Sequence, residues 1–182
     1  MKRSVRKMTL NLTFSAVIAA LGVGVMLLSA VIPVGIYALP CIAGALIVSV
    51  LIECGAQWAL AAFAVTSVLS LIFTYDKEAV ILFIAFFGYY PVLKELLENR
   101  LSRRAVRLAV KLVVFNLSAV ASFFAAMWLL SVPAEEYTLF GVYLPWVFLI
   151  AGNLLFLLYD RVLTVFTVFY RKRLHGKLLK LR

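Results

Sequence analysis

The sequence predicts an all-α integral membrane bundle of six transmembrane helices, folded as one domain over residues 1–182, with both termini in the cytoplasm. Three observations carry that prediction. The first is composition. Of the 182 residues, 65% are hydrophobic and 14% charged, against about 45–50% and about 25% in soluble domains. With a mean hydropathy of +1.08, a soluble domain of this size could not hide so much apolar surface. A soluble enzyme, a disordered chain and a disulfide-rich scaffold are all excluded on those numbers. The second observation is the length of the apolar runs, and the third is where the basic residues fall between them.

A span needs about 20 apolar residues to cross about 30 Å of hydrocarbon. The first runs over 9–32 and stops at Pro33-Val34-Gly35. The basic start Lys2, Arg3, Arg6, Lys7 resembles a signal-peptide n-region, but the apolar run after it is too long for one, so a retained span is expected. The second span covers 37–53 and ends at Glu53-Cys54-Gly55. The third covers 57–75, before Asp76-Lys77-Glu78. The fourth covers 79–97 and contains Pro91, whose ring removes a donor and frees the carbonyl of Phe87. A kink or local unwinding is expected there. The fifth covers 108–131, and the sixth covers 142–170 after a polar link with Pro133, Glu135 and Glu136.

Charge placement sets the topology. Seventeen of the eighteen Lys and Arg residues fall at the N-terminus, between Lys94 and Lys111, or from Arg161 onward. Lys77 is the exception. Cytoplasmic segments collect Lys and Arg, so six spans with both ends inside is the arrangement that keeps these clusters on one side. The net charge of +10 therefore points to the inner face of a cell membrane, not to nucleic acid. In the segment 94–107 and in the tail, leucines at helical spacing oppose basic residues. That pattern suits an interfacial helix on anionic lipid, or a docking surface for a protein.

Catalytic motifs are missing. Gly176-Lys177 lacks the upstream Gly and the following hydroxyl residue of a phosphate-binding loop. There is no HExxH and no GxSxG. Cys41 and Cys54 have no metal-spaced partners, and His175 stands alone in the basic tail. No catalytic residues, metal site or cofactor are expected, and the chain is read as a non-enzyme.

Several residues could hold or dock something. Ala16, Ala20 and Gly24 repeat every four residues in the first span, and small residues at that spacing let another helix approach closely. Their packing partner is either this bundle or a separate membrane subunit. Asn153 falls near the middle of the sixth span and Asn116 in the fifth, where polar groups are costly unless used; interhelical hydrogen bonds are the simplest use. Glu53 is expected at the inner interface. Asp160-Arg161 either pairs with neighbouring helices or marks the inner end of the sixth span; if that helix runs on to Tyr170, Asp160 lies inside the bilayer. The aromatics Tyr37, Trp128, Tyr143 and Trp146 gather near the outer ends. An aromatic belt and the lining of a small-molecule pocket would look the same, so these four and Asn153 are the ligand-binding candidates.

Six spans, about 180 residues and the opening "SAVIAALGVGVMLLSAVIPVG" with Ala16-x-x-x-Ala20 resemble the substrate-binding S components of energy-coupling factor (ECF) transporters. The resemblance covers the whole chain as topology and the first helix as motif. It implies a membrane subunit that captures a vitamin-like, here possibly apolar, small molecule. Such a subunit docks on a membrane T component through helix 1, at Ala16 and Ala20, while two cytoplasmic ATPases supply energy. The alternatives are a non-transporting six-helix scaffold similar to the rod-shape protein MreD, and a small secondary transporter or channel whose path would use Asp160, Glu53 or Asn153.

Overall fold

The computed structural model describes the backbone of residues 2–32, 35–130, 138–139 and 142–173, and the side chains of 5–32, 35–128 and 149–173. Among the described residues, six helices are long and apolar enough to cross a membrane, which fits a multi-pass membrane protein. Helix α1 (Lys2–Leu27) closes in a 3-10 turn at Leu28–Ala30. Helices α2 (Gly35–Cys54) and α3 (Ala56–Phe73) follow. The fourth span is composite: α4 (Lys77–Leu82), a π-helical turn (Phe83–Phe87) and α5 (Tyr90–Arg100). Then come α6 (Arg104–Leu130) and α7 (Leu144–Arg173). A two-residue antiparallel ladder, β1 (Thr138–Leu139) with β2 (Val142–Tyr143), precedes α7. The sixth helix thus begins two residues later than 142 and continues three beyond 170.

Local chemistry explains the boundaries. Gly55 adopts φ 93, a left-handed value that glycine tolerates best, and its N–H donates to the carbonyls of Val50 and Leu51. That ends α2 and starts α3 in one residue. Asp76 caps α4, its Oδ1 accepting from the Ala79 N–H at 3.2 Å. Lys77 turns back to donate to the carbonyls of Leu71 and Thr74 at 2.7 and 2.8 Å, satisfying the open end of α3. The one basic residue that breaks the charge asymmetry is therefore a helix cap.

The fourth span bends as its proline predicts. Pro91 cannot donate to Phe87, and the strain is absorbed by a π turn in which the Gly88 N–H reaches Phe83 O at 2.8 Å. Gly44 of α2 fits against the freed carbonyl: a Cβ there would lie 2.3 Å from Phe87 O and 2.7 Å from the Tyr159 hydroxyl. Helix α2 is the centre of the bundle, packing on α1, α3, α4, α5 and α7. One side joins the core of Ala19, Met26, Ile47, Val50, Val80 and Phe83. Its other side, through Val48, joins a second core of Phe86, Tyr90, Phe156, Tyr159 and Leu163. Helices α6 and α7 lie at the edge, with broad exposed apolar faces such as Leu117, Phe124, Leu154 and Val165.

Candidate functional site

The densest chemistry is an ionic layer built from α5, α6 and α7. Asp160 of α7 is its hub. Its Oδ1 accepts from Lys94 Nζ at 2.5 Å, from the Tyr90 hydroxyl at 2.6 Å and from Lys111 Nζ at 3.0 Å. Glu98 receives both lysines on Oε1, Lys111 at 2.8 Å and Lys94 at 3.3 Å. Lys94 also donates to Asp160 O and Thr164 Oγ1, each at 2.9 Å. Two ammoniums face two carboxylates, so the layer is electrically neutral. Lys94 and Lys111 are each only 5% exposed, which is tolerable for charges only when paired and hydrogen-bonded.

Helical spacing creates the layer. Lys94 and Glu98 are one turn apart on α5, Asp160 and Thr164 one turn apart on α7, so each pair shares a face. The contacts Lys94–Thr164 and Glu95–Arg171 show α5 and α7 running in the same direction. Lys111–Asp160 and Asn116–Asn153 show α6 running against them. At 1.5 Å per residue, Lys111 is about 10 Å along α6 from Arg104, and Asp160 about 16 Å along α7 from Arg171. The layer therefore lies between mid-membrane and the end that carries most basic residues.

One turn away on each of the three helices sits an aromatic ring: Phe86 before Tyr90, Phe115 after Lys111, Phe156 before Asp160. Phe115 and Phe156 stack at 4.9 Å, and Phe86 meets them edge-on at 5.2 and 5.7 Å. This apolar layer separates the ions from the other half of the bundle. On its far side, Asn116 and Asn153 form a reciprocal amide pair at 2.9 and 3.0 Å. Each amide also donates to the carbonyl one turn earlier, Leu112 and Leu149 respectively. Tyr89 and Ser118 share a 2.8 Å hydrogen bond nearby.

The ionic layer is reached from the basic end through a cleft of about 160 Å³ between α2, α5 and α7. Leu51, Pro91 and Leu163 form apolar wall, while Lys94, Glu95, Glu98 and Arg171 supply charge. A shallower notch lies at the α5–α6 turn, beside Arg100, Ser102 and Arg103. Among the described residues no group of three His, Cys, Asp or Glu is placed to hold a metal.

The residues singled out from sequence divide. Ala16, Ala20 and Gly24 all point away from the bundle, and a Cβ on Gly24 would meet nothing within 4 Å. The opposite side of α1, with Ser15, Ala19, Gly22 and Met26, is the one that packs inward. Tyr37 and Trp128 are exposed, at 59% and 84%. Asn153 has its amide engaged by Asn116 and Leu149. The side chains of Tyr143 and Trp146 lie outside the described residues. Neither cleft is lined by Tyr37, Trp128 or Asn153. Glu53 ends α2 beside Tyr170, and Asp160 is a part-buried hub inside a helix that continues thirteen residues further.

Lys94 and Lys111 are where sequence reasoning fell short. The expected spans 79–97 and 108–131 contain both, but charge placement alone reads them as inner-flank cations, whereas each is spent on carboxylates inside the bundle. A signal existed: Lys111 is the first charge met inside an otherwise apolar run, and Lys94-x-x-x-Glu98 has pairing spacing. No protein-family model, curated protein or solved structure matches the chain.

Proposed function

We propose that this chain is a membrane subunit that docks a second membrane protein through α1 and serves as the substrate-capture component of an ECF-type importer of a vitamin-like small molecule. In this reading its basic end faces the cytoplasm, and a T component and two ATPases complete the transporter. The observation that carries it is the direction of the Ala16, Ala20, Gly24 stripe. Lipid offers helices no hydrophobic driving force to associate, so close packing over small residues is the available one. Here that surface is left open outside the bundle instead of being spent within it.

The test is to replace Ala16 and Ala20 together with Leu. Co-purification with a co-expressed T component and ATPase-dependent uptake are both expected to fall below a tenth of the wild-type level, with the unfolding midpoint unchanged. Survival of both would sink the docking assignment. Capture is tested separately, by a ligand-dependent rise in melting temperature across a vitamin panel. Docking with no such rise would leave the non-transporting, MreD-like scaffold.

A second reading, a small secondary transporter, is favoured by the ionic layer, because charges at membrane depth often mark transport paths. It predicts gradient-driven flux in proteoliposomes without ATPases, and no flux under a proton or sodium gradient would exclude it.

A further inference from the structure

Arg161 follows Asp160 in sequence and leaves α7 about 100° round from it. Asp160 enters the ionic layer, whereas Arg161 is exposed and, among the described residues, makes no hydrogen bond or ion pair. Its depth follows from the helices beside it. Tyr170 lies by Glu53 and Cys54, where α2 ends. Helix α2, with 20 residues, is about 30 Å long, the thickness of the hydrocarbon. Arg161 is nine residues before Tyr170, about 14 Å along α7, level with the ionic layer and so within the span, between its middle and the basic end.

Its surroundings are apolar and outward-facing. Leu154, Leu158, Val165 and Val168 are exposed at 67%, 61%, 68% and 46%. With Arg161 they recur at alternating four- and three-residue steps, the period of a helix-packing seam. Arginine within a membrane ordinarily faces a bundle interior and pairs. This one faces outward and meets no anion among the described residues.

We propose that the α7 seam centred on Arg161 is a second docking face, and that its occupant is a different membrane protein carrying an Asp or Glu inside one span. A second copy of this chain cannot supply that carboxylate. Of its eight acidic residues, Glu53, Glu95 and Glu98 lie toward the basic end, and Asp76 and Glu78 at the cap and first turn of α4, toward the opposite end. Glu135 and Glu136 fall between α6 and α7 in sequence, and Asp160 is consumed by Lys94 and Lys111. This inference is independent of the α1 reading, since it uses another helix and another chemistry.

The probe is a 23-residue Leu/Ala transmembrane peptide with one central Asp, compared with its central-Leu counterpart. Both are titrated against labelled full-length protein in zwitterionic vesicles at pH 8 and read by energy transfer. The Asp peptide is expected to bind at least tenfold tighter than the Leu peptide. Arg161→Leu is expected to erase that preference while leaving the unfolding midpoint of the chain itself unchanged. Ala16→Leu/Ala20→Leu should retain the preference, which separates this face from α1. Equal binding of the two peptides overturns the proposal. So does a destabilised Arg161→Leu variant, which would mean that the guanidinium is held within its own chain. Arg161-dependent self-association would assign the face to a second copy, and loss of the preference in vesicles with 30% phosphatidylglycerol would assign it to lipid; either result overturns it too.

Discussion

Replacing Asp160 with Asn tests the ionic layer most sharply. The substitution keeps size and an acceptor oxygen for Tyr90, Lys94 and Lys111, now 2.6, 2.5 and 3.0 Å from Oδ1. It removes one negative charge, so a neutral layer becomes +1 around two lysines that are 5% exposed. Two magnitudes compete. An interhelical hydrogen bond in a membrane is worth about 0.6 kcal/mol, whereas stripping one partner from a buried ion pair costs about 3–5 kcal/mol. Glu98 still faces both lysines from the cleft, 39% exposed, so the lower end applies and a loss of about 3 kcal/mol is expected. Lys111→Met should cost a similar amount by leaving the layer at −1. The double variant restores neutrality, with Lys94 against Glu98, and is expected to lose about 3 kcal/mol where additivity would give about 6. The assay is reversible unfolding of the full chain by SDS in bicelles, followed by tryptophan fluorescence. Losses that simply add, or an Asp160→Asn loss near 0.6 kcal/mol, would refute the reasoning. The lysines would then be solvated through the cleft and the layer would be a set of ordinary hydrogen bonds.

Three further outcomes can be checked. Gly44→Ala drives a methyl to within 2.3 Å of Phe87 O and should cost about 1–3 kcal/mol by forcing α2 away from the π turn. Gly24→Ala, with nothing within 4 Å, should leave the same SDS midpoint unmoved. Asn153→Leu strands the Asn116 amide and is expected to cost about 1 kcal/mol, and the Asn116→Leu/Asn153→Leu double variant to cost less than the two single losses together, because no polar group is left unpaired. In a Cys41→Ala/Cys54→Ala background, Tyr75→Cys at the 90% exposed Tyr75 should react with an impermeant maleimide on intact cells, and Ser102→Cys only after permeabilisation; the reverse pattern would invert the topology.

What was legible in the sequence followed from forces that act along one helix at a time. That six helices are long and apolar enough to cross a membrane is legible because apolar length and breakers are local properties. Pro91 announced its bend, and Gly55 its sharp corner, through backbone chemistry alone. The ionic layer was not legible, because it depends on how three helices are rotated against one another. Lys94 and Lys111 bias the topology as inner-flank charges whether a lysine sits two residues outside a span or seven inside. Arg161 was grouped with the basic tail for the same reason. Asp160 was a conditional: its meaning turned on whether the last helix continued, and it continues to Arg173. The Asn116–Asn153 pair was expected as a type of contact, yet nothing in one sequence could match the two registers.

The two layers at the heart of the bundle also bear on how the readings rank. A conducting path needs polar groups that continue from one face to the other. Here the charges reach from the cleft to Asp160 and stop at the rings of Phe86, Phe115 and Phe156, with the amide pair beyond them closed on itself. For an ion to pass, the aromatic layer would have to open and Asp160 would have to release two lysines, and each step opposes tight packing or buried pairing. Holding α5, α6 and α7 in one register needs neither step. The layer then reads as a clamp that keeps the edge helices on the α2 core. A rigid bundle with outward faces left unspent, small residues on α1 and, on α7, a guanidinium that meets no anion among the described residues, suits a subunit that works by assembling with others.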